Sequence, residues 1–292
     1  MPNAKDLRGA GVNHLSFLFV GHPGSGKSTL YRTLPGRGFL YIFDPNCLAS
    51  LEGMDVEYEI FSPDLLDINV HPLAAKTRDG KDISPDRVVK AKEPRAYVEF
   101  ERMFEDHLET GFLEEFSWVG TDSFTTFSDA VMDRVMWLNG RFGKQPEQDD
   151  WSAQMMTIQM VARSITHRNK MYVATAHEEF VKDKTTAVIS VQPWLTGKLK
   201  VRLPLLFSNI YRCVSDDGHY YIQTTPHKMY KYMRSSIKGL EDEIEVTIPF
   251  DKVKQDFVNP QSHGIGKLLR EAGYIDAPVP VEKVVDITRK KK

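Results

Sequence analysis

Cysteine is scarce in this chain: among 292 residues only Cys47 and Cys213 carry a thiol. Two separated thiols make neither a disulfide framework nor a metal-ligand spacing, so both read as ordinary structural residues in a reducing cytoplasm. Long hydrophobic runs are missing too. No stretch approaches the roughly 20 apolar residues of a membrane span, and Met1 to Gly11 lacks a signal-peptide core. Internal repeats, a nucleophile elbow and a flavin fingerprint are also lacking. Hydrophobic residues nevertheless make up 41% of the sequence, ample for a core and for one large domain with or without appendages.

Net charge is nearly balanced at −2, yet it is unevenly spread. Ten Lys or Arg stand against three acids between Val181 and Lys238, whereas the rest of the chain has 28 against 37. A basic segment within an acidic protein points to an anionic partner that meets one face only. The plainer alternative is a set of solvated surface lysines.

The strongest positive signal is Gly21-His22-Pro23-Gly24-Ser25-Gly26-Lys27-Ser28-Thr29, directly behind the apolar run Leu15 to Val20. It fits G-x-x-x-x-G-K-[ST], the Walker A pattern, between a strand and a helix. Glycines at 21, 24 and 26 permit a backbone in which successive N–H groups face one concavity and bind phosphate oxygens, aided by the positive end of the next helix. Lys27 is expected to reach the β- and γ-phosphates, and the Ser28 hydroxyl to ligate Mg²⁺. The pattern therefore predicts nucleoside triphosphate binding.

Periodicity organises the rest. Strands are expected over Leu15–Val20, Gly38–Phe43, Phe116–Thr121 and Met171–Ala176, with an edge strand over Asp55–Phe61. Helices are expected from Gly26 or Lys27 to Pro35, from Tyr97 to Gly111, over Phe124–Leu138 and Trp151–Arg168, and over Gly264–Ala272. Ser62 to Arg95 reads as an insertion or long loop with a short helix. Val188 to Val191 reads as a strand, and Asn209–Val214 pairs with His219–Thr224 across an Asp-Gly turn. This order predicts an α/β fold: a mostly parallel sheet flanked by helices, with an antiparallel β-meander at one edge. Residues 1–238 form the expected core, and 239–292 a C-terminal extension with one short helix and a basic tail.

Asp122 closes the strand Phe116–Thr121, which is expected to lie beside the P-loop strand and to hold the Mg²⁺ water shell. Capping the next helix is the competing role for that Asp. His177 ends a further strand, where a side chain can sense the γ-phosphate. The GTP-type N-K-x-D loop is not matched, because Asn169-Lys170-Met171-Tyr172 lacks the Asp and precedes its strand, so ATP is expected.

Taken together, these residues resemble the RecA-like phage recombination ATPases, in particular their Sak-type single-strand-annealing branch. The resemblance spans about Leu15 to Lys238. Beyond the P-loop it rests on Asp44 at a strand end, Thr121-Asp122-Ser123, Asp150-Trp151 opening a long helix, Thr175-Ala176-His177-Glu178, and the late Lys231 and Arg234. It implies a RecA-type core that uses ATP and Mg²⁺, binds single-stranded DNA, and assembles as a homo-oligomeric ring or filament with ATP between subunits. It allows a single-strand-binding protein as a further partner and, for a phage protein, places the activity in the bacterial host cytoplasm. By similarity, Lys231 and Arg234 would be fingers for the γ-phosphate of a neighbour's site. The loop Val181 to Arg202, with Lys182, Lys184, Trp194, Lys198, Lys200 and Arg202, would be the DNA-binding loop, its aromatic ring a stacking platform unless buried in a local core. One departure stands out. The family usually has Glu two residues after the second-strand Asp, and here that position is Asn46, so Asp44 or Glu178 would have to activate water, or hydrolysis would be slow. A nucleotide-gated interaction protein and a small-molecule kinase are the alternatives from other classes.

Overall fold

A computed structural model describes residues 14–67, 93–142, 144–168, 170–182, 189–195 and 199–276. The apolar run behind the P-loop forms β1 (Ser16–Gly21), every residue of it buried, as expected for a central strand covered on both faces. β2 (Gly38–Ile42) is equally buried, and the half-polar β3 (Val56–Ile60) lies at the sheet edge. Short helical turns α1 (Leu48–Leu51) and α2 (Pro63–Leu66) flank β3 in sequence. Then come α3 (Ala96–Thr110), β4 (Trp118–Asp122), α4 (Phe124–Leu138), α5 (Gln148–Thr166) and β5 (Met171–Lys182). The chain continues through β6 (Ile189–Pro193), α6 (Leu199–Arg202), β7 (Asn209–Asp216), β8 (His219–Gln223) and β9 (Glu243–Glu245). A two-stranded ribbon of β10 (Phe250–Asp251) and β11 (Asp256–Phe257) precedes α7 (Gly264–Glu271).

The sheet order is β3-β2-β4-β5-β1-β7-β8-β9, with β6 paired to β5 alone. From β3 to β7 all neighbours are parallel, and β7-β8-β9 form an antiparallel meander. This is the α/β architecture expected from the sequence. At the β7–β8 turn Asp217 and Gly218 both take positive φ, 45° and 81°, the geometry an Asp-Gly hairpin demands.

Alternating residues of the strands feed two cores. Leu18, Val20, Tyr41, Phe43 and Tyr172 face α3, α4 and α5, where Phe100, Phe104, Phe127 and Ile158 meet them. Phe17, Phe19, Ile42, Val173 and Tyr211 face the other side, which Leu30, Tyr31, Ile265, Leu268 and Leu269 cover. Among the described residues no helix is long and apolar enough to cross a membrane.

Three expectations need correcting. The segment after the P-loop is a six-residue 3-10 helix, Ser28–Thr33, rather than an α-helix, so its dipole adds less to anion binding than expected. β5 does not stop at His177 but runs 12 residues, and its outer half pairs antiparallel with β6. The expected loop from Val181 is therefore a β-hairpin arm followed by α6, with 183–188 and 196–198 outside the described residues. Finally, β4 is not beside β1, because β5 lies between them.

Asp150 anchors the loop before α5. It is wholly buried and accepts from Arg141 Nε at 2.9 Å and Nη2 at 2.5 Å, Asn139 Nδ2 at 2.6 Å and the Glu147 N–H at 2.8 Å. The Arg141 guanidinium foremost holds its pKa down at about 2. Because the folded pKa is depressed, the carboxylate's contribution is complete above the unfolded value near ~4 and is lost as pH falls from there through about 2. Asp150→Ala is expected to cost about 3 kcal/mol, read by denaturant unfolding at neutral pH, and the cost should shrink toward pH 2. A variant as stable as the parent would show that the network contributes nothing.

Candidate active site

The parallel strands bring their carboxyl ends to one edge, where Gly21 lies level with His177 and Cys213, and Asp122 level with Ile42. There the chain leaves β1 in a tight turn. Gly24 and Gly26 take φ of 77° and 82°, which glycine adopts without strain. A Cβ on Gly21 would stand 2.5 Å from Ser25 Oγ, and one on Gly26 would stand 2.7 Å from Tyr220 Cδ1. Ser25 Oγ is itself buried without a hydrogen-bond partner among the described residues. Pro23, Gly24, Gly26, Lys27, Ser28 and Thr29 line one wall of a cleft of about 550 Å³. Asp44, Asn46, Cys47, Ser50, Asp122, His177 and Tyr220 line the rest. That volume suits a nucleotide-sized ligand.

Lys27 is almost fully buried, and its Nζ donates to the carbonyls of Gly21 at 2.9 Å and His22 at 2.7 Å. Burial lowers its pKa, while surrounding negative groups, including Asp122, Glu178 and Asp44, oppose the shift. The ammonium thus sits at the base of the turn among carboxylates.

Asp122 binds two hydroxyls. Ser28 Oγ donates to Oδ2 and Thr175 Oγ1 to Oδ1, each at 2.7 Å. Burial raises the Asp122 pKa, and these two donors oppose the rise. Ser123, not Asp122, caps α4, accepting from the Thr126 N–H. The intervening position of β5 explains the arrangement: Thr175 comes from the strand between β1 and β4 and bridges the gap. Ser28 and Asp122 are hard oxygen groups 2.7 Å apart, fit to hold Mg²⁺ with phosphate oxygens and water completing the shell. The glycine cradle, the orphan Ser25 hydroxyl and this donor pair all fit a Mg²⁺-bound triphosphate.

Asp44 accepts from the Asn46 N–H at 3.1 Å and from Asn46 Nδ2 at 2.9 Å, and its Oδ2 lies 3.5 Å from His177 Nε2. The His177 contact foremost lowers the Asp44 pKa. The His177 backbone N–H donates to Thr125 Oγ1 at 3.0 Å. Glu178 points elsewhere. Its side chain is fully buried in a two-pronged pair with Arg212, at 2.7 and 2.9 Å. Of the two acids the sequence left open as activators of water, Asp44 borders the cleft and Glu178 is occupied by Arg212.

The remaining predicted residues that are described lie apart from the cleft. Lys231 and Arg234 are exposed, and the Arg234 backbone bridges to Ile210 of β7. Lys182 and Arg202 are exposed, and Lys200 lies 3.7 Å from Glu179. Lys184 and Lys198 fall outside the described residues. Trp194 is 57% exposed, which removes local burial as its explanation, and its backbone N–H donates to the His177 carbonyl at 2.7 Å. The hairpin end is thus one hydrogen bond from the residue that lines the cleft. Two further residues emerge only here, Arg212 and Tyr220, together with the contact of Thr175 to Asp122. A charged residue in the apolar run Asn209 to Val214 was a signal that a buried partner exists. Tyr220 left no such trace.

No protein-family model and no curated protein matches the chain. Among solved structures, the flagellar accessory protein FlaH from Methanocaldococcus jannaschii matches with 12% sequence identity. The match covers 85% of this chain and 92% of that one, at a TM-score of 0.38. So loose a superposition assigns no residue a role here, and the site is read from its own geometry.

Proposed function

We propose that the chain is a RecA-like P-loop ATPase that binds ATP with Mg²⁺, oligomerises and engages single-stranded DNA in recombination or strand annealing. The observation that carries the nucleotide part is Asp122, held by Ser28 and Thr175 at 2.7 Å each, over a P-loop that buries Lys27. Bound Mg²⁺ would neutralise charge on the phosphates and polarise the bond that breaks. Lys27 exchanges its two carbonyl partners for phosphate oxygens. Gly24 and Gly26 turn backbone N–H groups toward the same oxygens. Asp44 and Asn46 orient the attacking water, and Tyr220 offers its ring at the mouth of the cleft to the base.

The DNA part is supported by the exposed Trp194 and by the basic groups Lys182 and Arg202 near one hairpin. Lys231 and Arg234, exposed and outside their own cleft, suit a role in a neighbouring subunit's site. The test is ATP hydrolysis with and without a long single strand, across a salt series. Stimulation should appear and fade steeply with salt. Trp194→Ala should weaken strand binding by about 1–3 kcal/mol in fluorescence anisotropy. A chain that hydrolyses ATP but neither binds nor responds to the strand would end the DNA reading.

One observation favours a second reading. Asn46 cannot accept a proton, and the lowered pKa of Asp44 makes that carboxylate a weak base. A nucleotide switch that sets partner affinity with slow turnover fits those facts, and turnover that stays slow with every strand tested would select it. A kinase lid is disfavoured, because Arg141 is committed to Asp150.

A further inference from the structure

We infer that His22 is a positioning residue through which the β5–β6 hairpin sets the P-loop's hold on Lys27. The inference rests on the nucleotide-binding reading above and names a regulation of that site. His22 occupies the second place of the motif, which G-x-x-x-x-G-K-[ST] leaves free. Its carbonyl is nonetheless one of the two acceptors of Lys27 Nζ and also accepts from the Ser25 N–H at 3.2 Å. One peptide group therefore fixes both the turn and the ammonium.

The side chain of the same residue reaches the other way. Its Nε2 lies 3.2 Å from Glu178 Oε1, and its ring stacks on Phe180 with centroids 5.1 Å apart and planes 24° from parallel. Glu178 is a rigid mooring, since Arg212 grips both of its oxygens and lies 4.1 Å over the Tyr230 ring. Phe180 is not part of either core: it is 52% exposed, on the half of β5 that pairs with β6. An exposed phenyl ring that stacks on a P-loop imidazole is placed to transmit, because whatever moves the hairpin moves the ring and then residue 22. Lys27 must leave the His22 carbonyl to meet phosphate, so the placement of that carbonyl sets how readily the ammonium is released and how ordered the turn is before the ligand arrives.

A double-mutant cycle on nucleotide binding tests this without DNA. The dissociation constant for a fluorescent ATP analogue with Mg²⁺ is measured for the parent chain, His22→Ala, Phe180→Ala, the double variant and His22→Gln. Each alanine variant should raise the constant about three- to tenfold, and the double variant should be no worse than the weaker-binding single. In His22→Gln the amide nitrogen sits where the imidazole Nε2 sits, so the Glu178 contact returns without the stack, and binding should fall between parent and His22→Ala. The melting temperature should hold throughout, since both side chains are half exposed. Additive effects, or a Phe180→Ala chain that binds like the parent, would overturn the inference. Lys27→Ala in the same titration keeps the two failures apart. If it loses binding while the cycle is additive, only the role of His22 falls. If it binds like the parent, the nucleotide reading falls and His22 with it.

Discussion

Lys27→Ala should abolish measurable ATP binding, raising the dissociation constant by about 10²-fold or more, while leaving the melting temperature almost unchanged. The first half follows from charge: an ammonium on phosphate oxygens makes charge-assisted hydrogen bonds worth about 1.5–3 kcal/mol each, and removing it forfeits two or more. The second half follows from burial. Lys27 is 7% exposed and its pKa is pulled down by desolvation, so the folded chain already bears a cost for holding the charge there. Alanine removes that cost and leaves the carbonyls of Gly21 and His22 beside a cleft wide enough for water. Function and stability thus separate in one variant, read by analogue titration and thermal melting. Retained binding would remove the P-loop from the account, and a collapse of the fold would make Lys27 a structural residue. Lys27→Arg is expected to bind more weakly as well, because a larger planar fork cannot take the place of a compact ammonium buried at the base of the turn.

What the sequence made legible was local. Gly111 with φ of 75° after Thr110 and the Asp-Gly turn at 217–218 are each decided by a few neighbouring residues, and each is found in its expected place, whereas the cap of Phe124–Leu138 falls to Ser123 and not to the Asp122 that the sequence offered for it. The P-loop is of the same kind, since its glycines and lysine are fixed by the turn itself. Asp122 was readable as a candidate because an acid at the end of an apolar strand has few reasons to be there, and it lines the cleft.

What escaped was long-range or marginal. That β5 separates β1 from β4 is a matter of strand order, which no short window encodes, and with it went the bridging role of Thr175. The strand was expected to end at His177, where the run His177-Glu178-Glu179 turns polar. The strand continues because Arg212, 34 residues later, neutralises Glu178, and because β6 pairs the outer half. The 3-10 geometry of Ser28–Thr33 is a close contest between two hydrogen-bond patterns: Leu30 N–H shares the carbonyls of Gly26 and Lys27, both at 3.2 Å. Pro35 and Gly36 leave no room for a second turn to decide it.

Asp122→Asn should lower Mg²⁺-dependent turnover by about 10²–10³-fold, or roughly 3–4 kcal/mol, and should not destabilise the chain. Asparagine keeps the size of the side chain and one acceptor. Its amide nitrogen cannot accept from a hydroxyl, so either Ser28 or Thr175 must turn its O–H elsewhere. The negative charge that would face the metal is gone, and with it the pull that keeps the Ser28 oxygen aimed at the same point. Stability moves the other way. Asp122 is buried, its pKa is raised chiefly by desolvation, and no cation among the described residues contacts it directly, so its surroundings disfavour the charged form. A neutral isostere relieves that cost, and the melting temperature should stay level or rise. Opposite signs in the two assays are the mark of a residue kept for chemistry at the expense of stability. Unchanged turnover across a Mg²⁺ titration would take the metal away from Asp122, and a melting point that falls by many degrees would make its two hydroxyl contacts structural instead.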